Sequence, residues 1–203
     1  MKIAIIGITG RVGSRIAAEA LRRGHTVTGI ARSIDQAKVP AGVQLVQGDA
    51  TQPEQLAALV RGHDAVVSAA KFSVLKAAPL LQALKSAGVK RLLVVGGAAS
   101  LEVAPGVILL DSPSFPAEYK SEAVPGKQFL DDLRAETAVD WTFLSPAALL
   151  EPGVRTGKFR VGQNQLLADE QGNSRISMED YAIALLDEIE QPKHIRQRFT
   201  VAY

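Results

Sequence analysis

The sequence contains no cysteine, so disulfides, thiolate nucleophiles and cysteine-based metal sites are excluded at the outset. Histidine is almost as scarce. His25, His63 and His194 are the only three, and none is spaced as a ligand pair, which argues against a zinc site. Strong charge of either sign is also missing: 23 basic and 21 acidic residues leave a formal net charge of +2, which argues against a nucleic-acid partner. No apolar run approaches the roughly 18 residues that a membrane span needs. The N-terminus has no charged segment leading into a long apolar one, so the chain reads as cytoplasmic, with no membrane partner. Repeats, low-complexity tracts and flexible linkers are absent too. The 203 residues therefore read as one domain, 1–203, long enough to bury about 70% of its unfolded surface without a staple.

What the sequence does have is an alternation of short apolar runs with amphipathic stretches. The runs Lys2–Ile6, Thr26–Ala31, Val43–Gln47, Ala65–Ser68 and Arg91–Val95 predict strands. Between them, residues 13–23, 53–61 and 74–87 predict helices, the second opened by a capping box at Thr51-Gln-Pro-Glu54. Strands apolar throughout and separated by helices imply a parallel sheet covered on both faces, in the order 3-2-1-4-5. The fold class expected is α/β, a Rossmann-like doubly wound parallel sheet with helices on both faces and a small C-terminal annex. Residues 1–100 form its ligand-cradling half, and 101–203 carry a substrate loop (100–120), a helix near 121–137, the last sheet strands and the annex. In the annex, hairpins are expected at Lys158–Val161 and Gln165–Ala168. A final helix is capped by Ser177 and Asp180, and its stripe Met178, Ala182, Leu185, Leu186, Ile189 reads as core. His25 and His63 read as turn residues and His194 as surface.

The first strand runs directly into Gly7, Gly10 and Gly13, spaced three apart, and then into an amphipathic helix. A strand that turns through glycines into a helix N-terminus cradles a pyrophosphate, because free N–H groups and the helix dipole face the anion. Gly7, Thr9, Gly10, Arg11, Val12 and Gly13 are therefore candidate cofactor contacts. Arg32 closes the second strand, where an NAD site places a carboxylate against the ribose 2′-OH; a guanidinium there pairs with a 2′-phosphate instead. Arg11 can approach the same phosphate. NADP is favoured, NAD remains possible, and Asp35 is the alternative ribose contact.

The later strand ends supply the rest. Asp49 and Ala50 follow strand three, where Asp49 either accepts from an adenine amino group or caps the next helix. Ser68, Ala69 and Ala70 follow strand four, small enough for close approach to a ribose or simply for tight packing, and Lys71 beside them can meet a phosphate or solvent. Gly96, Gly97 and the small residues up to Ser100 suit a nicotinamide ring lying on backbone. Ser145 and Pro146, closing a sixth predicted strand at Trp141–Pro146, can meet the carboxamide.

These motifs resemble a known family. Gly7-Ile-Thr-Gly-Arg-Val-Gly13, Gly48-Asp49, Val94-Val-Gly-Gly97, Trp141-Thr-Phe-Leu-Ser-Pro146 and Ile176-Ser-Met-Glu-Asp-Tyr-Ala182 are similar to those of atypical short-chain dehydrogenase/reductases. The likeness is to the NADH-flavin reductase, NmrA-like and biliverdin reductase B-like NAD(P)-binding proteins. It implies an NAD(P)H-binding Rossmann domain in which some members reduce flavins or quinones and others only sense the cofactor.

The main family's Tyr-x-x-x-Lys relay is missing. Tyr119 is followed at the fourth position by Ala123, and Lys120, adjacent to Tyr119, points about 100° away on a helix. Ser100, Tyr119 and Lys120 are the candidate catalytic residues, with Tyr119 either touching substrate or anchoring its loop and Lys120 on a phosphate. Ketone reduction builds charge on one oxygen and gains roughly 10²–10⁴-fold from a placed acid. A conjugated acceptor spreads the charge and needs proximity more. The expectation is an oxidoreductase passing hydride to a planar acceptor, a flavin (FMN or FAD as substrate) or a quinone, in a monomer or homodimer. A non-catalytic redox sensor is the alternative.

Overall fold

The computed structural model describes residues 1–34 and 39–203. The first half runs β1 (Lys2–Ile6), α1 (Arg11–Arg22), β2 (Thr26–Ala31), β3 (Gln44–Gln47), α2 (Pro53–Val60), β4 (Ala65–Ser68), α3 (Ala77–Ala87) and β5 (Arg91–Val95). The second half opens with a small hairpin, β6 (Glu102–Ala104) and β7 (Val107–Ile108). It continues with α4 (Lys120–Arg134), β8 (Asp140–Ser145), β9 (Leu149–Glu151), β10 (Arg160–Gly162), β11 (Arg175–Ser177), α5 (Met178–Glu190) and β12 (Gln197–Ala202). Eight strands form the central sheet in the order β3-β2-β1-β4-β5-β8-β12-β10. Every pairing in it is parallel except that of β10 with β12.

Alternation along β1 shows how the sheet is sandwiched. Ile3 and Ile5 face a layer built from α1 and α5, with Ile16, Ala20, Tyr181 and Leu185. Ala4 and Ile6 face the layer of α2, α3 and α4, with Leu56, Leu80, Leu84 and Leu130. Each such large side chain contributes about 1.5–3 kcal/mol on burial, so both faces of the sheet are needed. The strand order reverses direction between β1 and β4. That switch point opens a crevice at the carboxyl ends of the strands, where ligands bind in such sheets. The fold is the Rossmann-like α/β arrangement that the sequence implies, and the stripe of α5 is core.

Some local expectations are corrected. The capping box at Thr51–Glu54 does not form: Gln52 is the N-cap of α2, and the Thr51 hydroxyl instead donates to Asp49 Oδ1 (2.8 Å). The hairpins at 158–161 and 165–168 are replaced by long-range pairing. Residues 160–162 pair with β12, and Gln165 makes an isolated bridge to Glu102. Leu149–Glu151 and Arg175–Ser177 form a two-stranded parallel pair that the sequence did not signal. The helix expected near 121–137 does form: α4 continues through Pro125, with Gly126 packed so tightly on the Phe72 ring that a Cβ there would sit 2.9 Å from it. Tertiary packing outweighs the proline. His194 is not a free surface residue, since its ring stacks on Phe199 (centroids 4.2 Å apart) and its Nδ1 lies 2.8 Å from Glu188.

Candidate functional site

The glycine turn after β1 is built for close approach. Gly7 has a φ of +80°, and a Cβ on it would lie 2.6 Å from the Ala69 carbonyl oxygen. Gly13 faces back on the turn, where a Cβ would lie 2.3 Å from the Gly7 oxygen. Gly10 caps α1 without any side-chain hydrogen bond, and no acidic residue occupies the first turn. The first intrahelical bond runs from Ser14 N–H to the Gly10 carbonyl (3.0 Å), so the amides of Arg11, Val12 and Gly13 have no partner within the helix. A cradle of free amides with room only for backbone fits a pyrophosphate.

Two clefts meet along the carboxyl ends of the strands. The first, of about 410 Å³, is lined by the glycine turn (Gly7, Thr9, Gly10), by Arg32 and Ser33 after β2, by Gly48–Thr51 after β3, and by Ala69–Lys71 after β4. Arg32 is exposed at its rim, its carbonyl accepting from Gln47 Nε2 (2.9 Å). Asp49 uses Oδ1 to accept from the Thr51 amide (2.9 Å) and hydroxyl, and its amide donates to Gln55 Oε1 (2.7 Å). The Thr51 amide bond first, then its hydroxyl and the Arg32 charge, hold the Asp49 carboxyl below its ordinary range. Asp49 thus organises its own turn ahead of α2 while lining the cleft beside Ala50.

The second cleft, of about 360 Å³, shares the wall Ala69–Lys71 and continues past Gly96 and Gly97 to Ser100. A Cβ on Gly97 would meet nothing within 4 Å, so this backbone faces open space. Gly96 has the opposite surroundings: a Cβ would strike Phe143 at 2.3 Å. The Gly96 amide donates to the Leu144 carbonyl (2.9 Å), which also accepts from the buried Tyr181 hydroxyl (2.6 Å). Burial pushes that phenol up, keeping it a neutral donor. One carbonyl therefore ties the wall of the second cleft to α5.

Aromatic rings dominate the far side. Phe72, Phe115 and Tyr119 line it, with Phe72 stacked on the buried Phe143 ring behind Gly96 (6.0 Å, 19°) and tilted on Phe129 (5.2 Å, 58°). The Glu122 carboxylate of α4 accepts from the Phe72 amide (2.9 Å) and from the amide and hydroxyl of Ser73. It pins the segment after β4 against α4.

The candidates read from sequence are distributed as follows. Gly7, Thr9, Gly10, Arg32, Asp49 and Ala50 line the first cleft; Gly96, Gly97, Ser100 and Tyr119 line the second; Ala69, Ala70 and Lys71 line both. Val12, Gly13 and Ser68 shape the turn and floor from beneath without lining either cleft. Arg11 and Lys120 are exposed and border neither, so the approach of Arg11 to the ribose end and of Lys120 to a phosphate is not built into this structure. Ser145 and Pro146 are buried, with Ser145 Oγ accepting from Arg198 Nη1 (3.4 Å); they lie under the wall and do not face the cleft. Asp35 lies outside the described residues. Sequence reading missed Phe72, Phe115, Phe143, Glu122 and Lys127 as lining residues. Of these, only Phe143, at a strand end facing Gly96, carried a signal that could have been used.

The motif Ile176–Ala182 proves structural. Ser177 Oγ accepts from the Asp180 amide (3.0 Å), and Glu179 pairs with Arg15 (2.6 Å) and accepts from the Gly153 amide. Asp180, with no exposure, accepts from the amides of Thr156 and Gly157 and the hydroxyls of Thr156 and Tyr203. Among the described residues no cluster of His, Asp and Glu could hold a metal ion, and no helix is long and apolar enough to cross a membrane.

Three solved structures are similar over the whole chain. A protein of Burkholderia pseudomallei described as a candidate exported protein is 48% identical, covers 100% of both chains and superposes with a TM-score of 0.91. A candidate epimerase of Bacteroides thetaiotaomicron is 40% identical, with 100% of this chain and 96% of that one covered and a TM-score of 0.93. A candidate NADH-flavin reductase of Streptococcus pneumoniae is 34% identical, with 100% and 99% covered and a TM-score of 0.85. The family model described as NAD(P)H-binding matches residues 7–192, from the first glycine of the cradle to the end of the last helix. On that match and that cradle, the chain belongs to the NAD(P)H-binding family.

Proposed function

We propose that the chain is an NADPH-dependent reductase that passes hydride to a planar redox acceptor such as a flavin or a quinone. The observation that carries this reading is the second cleft: continuous with the cofactor cleft, walled by glycine backbone on one side and aromatic rings on the other, and without a Tyr-x-x-x-Lys relay. Bound in the first cleft, the dinucleotide would supply the hydride. The amides after Gly10 would hold its pyrophosphate, Arg32 its 2′-phosphate, and the shared wall Ala69–Ala70 would admit its ribose closely. Gly97 leaves space for a flat ring against backbone. Phe72 and Phe115, both partly exposed, present faces and edges on which a second flat ring can stack, excluding water from between the two. The relative described as an NADH-flavin reductase supports the same class of acceptor.

Two measurements test this. Titrating NADPH and NADH by fluorescence against Arg32→Glu should show NADPH affinity falling about 10–100-fold, as expected for a lost charged contact, with NADH changing far less. NADPH oxidation with FMN, menadione and a panel of aldehydes should be fastest with the planar acceptors. Fast aldehyde turnover with slow FMN reduction overturns the acceptor class, and no turnover with any of them favours a redox sensor.

A further inference from the structure

Arg198 on β12 is the buried charge that neither the fold nor the cofactor site uses. Only 8% of it is exposed, and its hydrogen-bonding partners are all neutral. Asn164 Oδ1 accepts at 2.9 Å, and the Ser100 carbonyl, Ser100 Oγ and Ser145 Oγ each lie at 3.4 Å. The other arginine buried against the sheet, Arg91, behaves differently: it pairs with the Glu188 carboxylate at 3.0 Å. The charged groups that act on Arg198 from neighbouring elements are Arg134 on α4 and, in the opposite sense, Glu102 on β6. Burial first, then Arg134, lower its pKa to about 10, which leaves it cationic at neutral pH. A guanidinium held out of water with no carboxylate among its hydrogen-bond partners is costly, and its field is poorly screened.

That field is directed at the second cleft. Ser100 lines the cleft, and its Oγ accepts from Arg198, so its own hydrogen is available to a group in the cleft. Contacts of 3.4 Å are long for hydrogen bonds, so the coupling is mainly that of a charge with the Ser100 hydroxyl and carbonyl dipoles.

We infer that Arg198 is a positioning residue which, through the Ser100 hydroxyl, stabilises negative charge on the planar occupant of the second cleft, so that the site selects acceptors whose reduced form is an anion. This rests on the reductase reading above. Hydride carries two electrons and one proton from the reduced nicotinamide, which is left oxidised, to the acceptor. The acceptor then holds a negative charge on a conjugated oxygen or nitrogen until a proton from solvent completes its reduction. Arg198 and Ser100 act in the interval. They fill by electrostatics the place where the absent relay would supply an acid.

The test separates this role from mere packing. A planar phenol, 7-hydroxycoumarin, is bound to the NADP-loaded protein and its phenolate is read by absorbance as pH is varied. In the wild type the bound phenol should ionise about one pH unit lower than in Arg198→Met, the shift expected from a nearby opposite charge. Arg198→Lys should retain most of that shift. Ser100→Ala, which leaves the guanidinium and the core in place, should lose most of it and serves if Arg198→Met does not fold. With FMN or menadione, kcat should fall about 10–100-fold in Arg198→Met and Ser100→Ala while KM and NADPH affinity stay within about threefold. Failure of the wild type to bind the phenol or to shift it, or a shift unchanged in Ser100→Ala, overturns the inference whatever the turnover. A shift present with no turnover of any acceptor overturns the reductase reading alone.

Discussion

Glu19 shows how much this protein stakes on single ionised groups. Its carboxylate, 5% exposed on α1, is held by Arg22 (2.6 Å), Arg23 (2.8 Å) and Arg155 (2.9 Å). Arg23 in turn pairs with Asp187 and Glu190 of α5, so the cluster binds α1, α5 and the annex together. Burial alone would raise the Glu19 pKa, but hydrogen bonds from Arg22, Arg155 and Arg23 outweigh it and hold the carboxyl far below its ordinary value. A folded pKa below the unfolded one means stabilisation that is complete above the unfolded pKa, near 4.3, and lost as pH falls through the folded value. Glu19→Gln should therefore cost about 3 kcal/mol at pH 7, as for one partner removed from a buried pair. Thermal melts from pH 7 to pH 3 should show the gap from the wild type narrowing steadily below about pH 5. A gap constant with pH would assign the loss to packing. At this scale the sequence was legible where a residue acts through its own backbone, as at Gly7, and opaque where it acts through partners. Nothing near Glu19 in sequence announces Arg155, and nothing near Ser100 announces Arg198, 98 positions away.

At the scale of elements, strands and helices of the first half were legible because each carries its own period, continuous apolar runs for strands buried on both faces and a 3.6-residue stripe for helices. The annex was not. Its strand β10 is three residues long with none of them buried, so its pairing with β12 is decided by what lies beside it and not by local alternation. The helix expected near 121–137 tolerates its Pro125–Gly126 pair for the same reason: Phe72 packing on Gly126 and the Glu122 bonds to the β4–α3 segment stabilise α4 from outside. The second cleft depends on that clasp. Glu122→Ala should leave α4 folded but free the Phe72 and Ser73 amides, whose hydrogen exchange should quicken about tenfold or more, the equivalent of 1.4 kcal/mol or above. Unchanged exchange at both amides would mean that the Phe72 ring stack, not the carboxylate, fixes this segment.

On the scale of the whole molecule, cofactor binding is a source of stability. Both faces of the sheet are already covered, and what remains open is the crevice at the strand ends, where the walls come from separate turns after β1, β2, β3 and β4. A ligand touching all of them should stabilise the native state by about 2.7 kcal/mol at one hundred times its Kd. For a chain of this length, that corresponds to a rise in Tm of about 5–10 °C. NADPH should produce that rise in differential scanning fluorimetry, and NADH at the same concentration a smaller one; equal rises would remove the 2′-phosphate preference assigned to Arg32. The two clefts are also not independent objects, since Ala69, Ala70 and Lys71 are a wall of each. Thermodynamic reciprocity then governs them: whatever factor by which a ligand seated in one cleft changes affinity in the other is the factor by which the second ligand changes the affinity for the first. A protein with a party wall therefore couples its two chambers through one short segment, Ala69–Lys71.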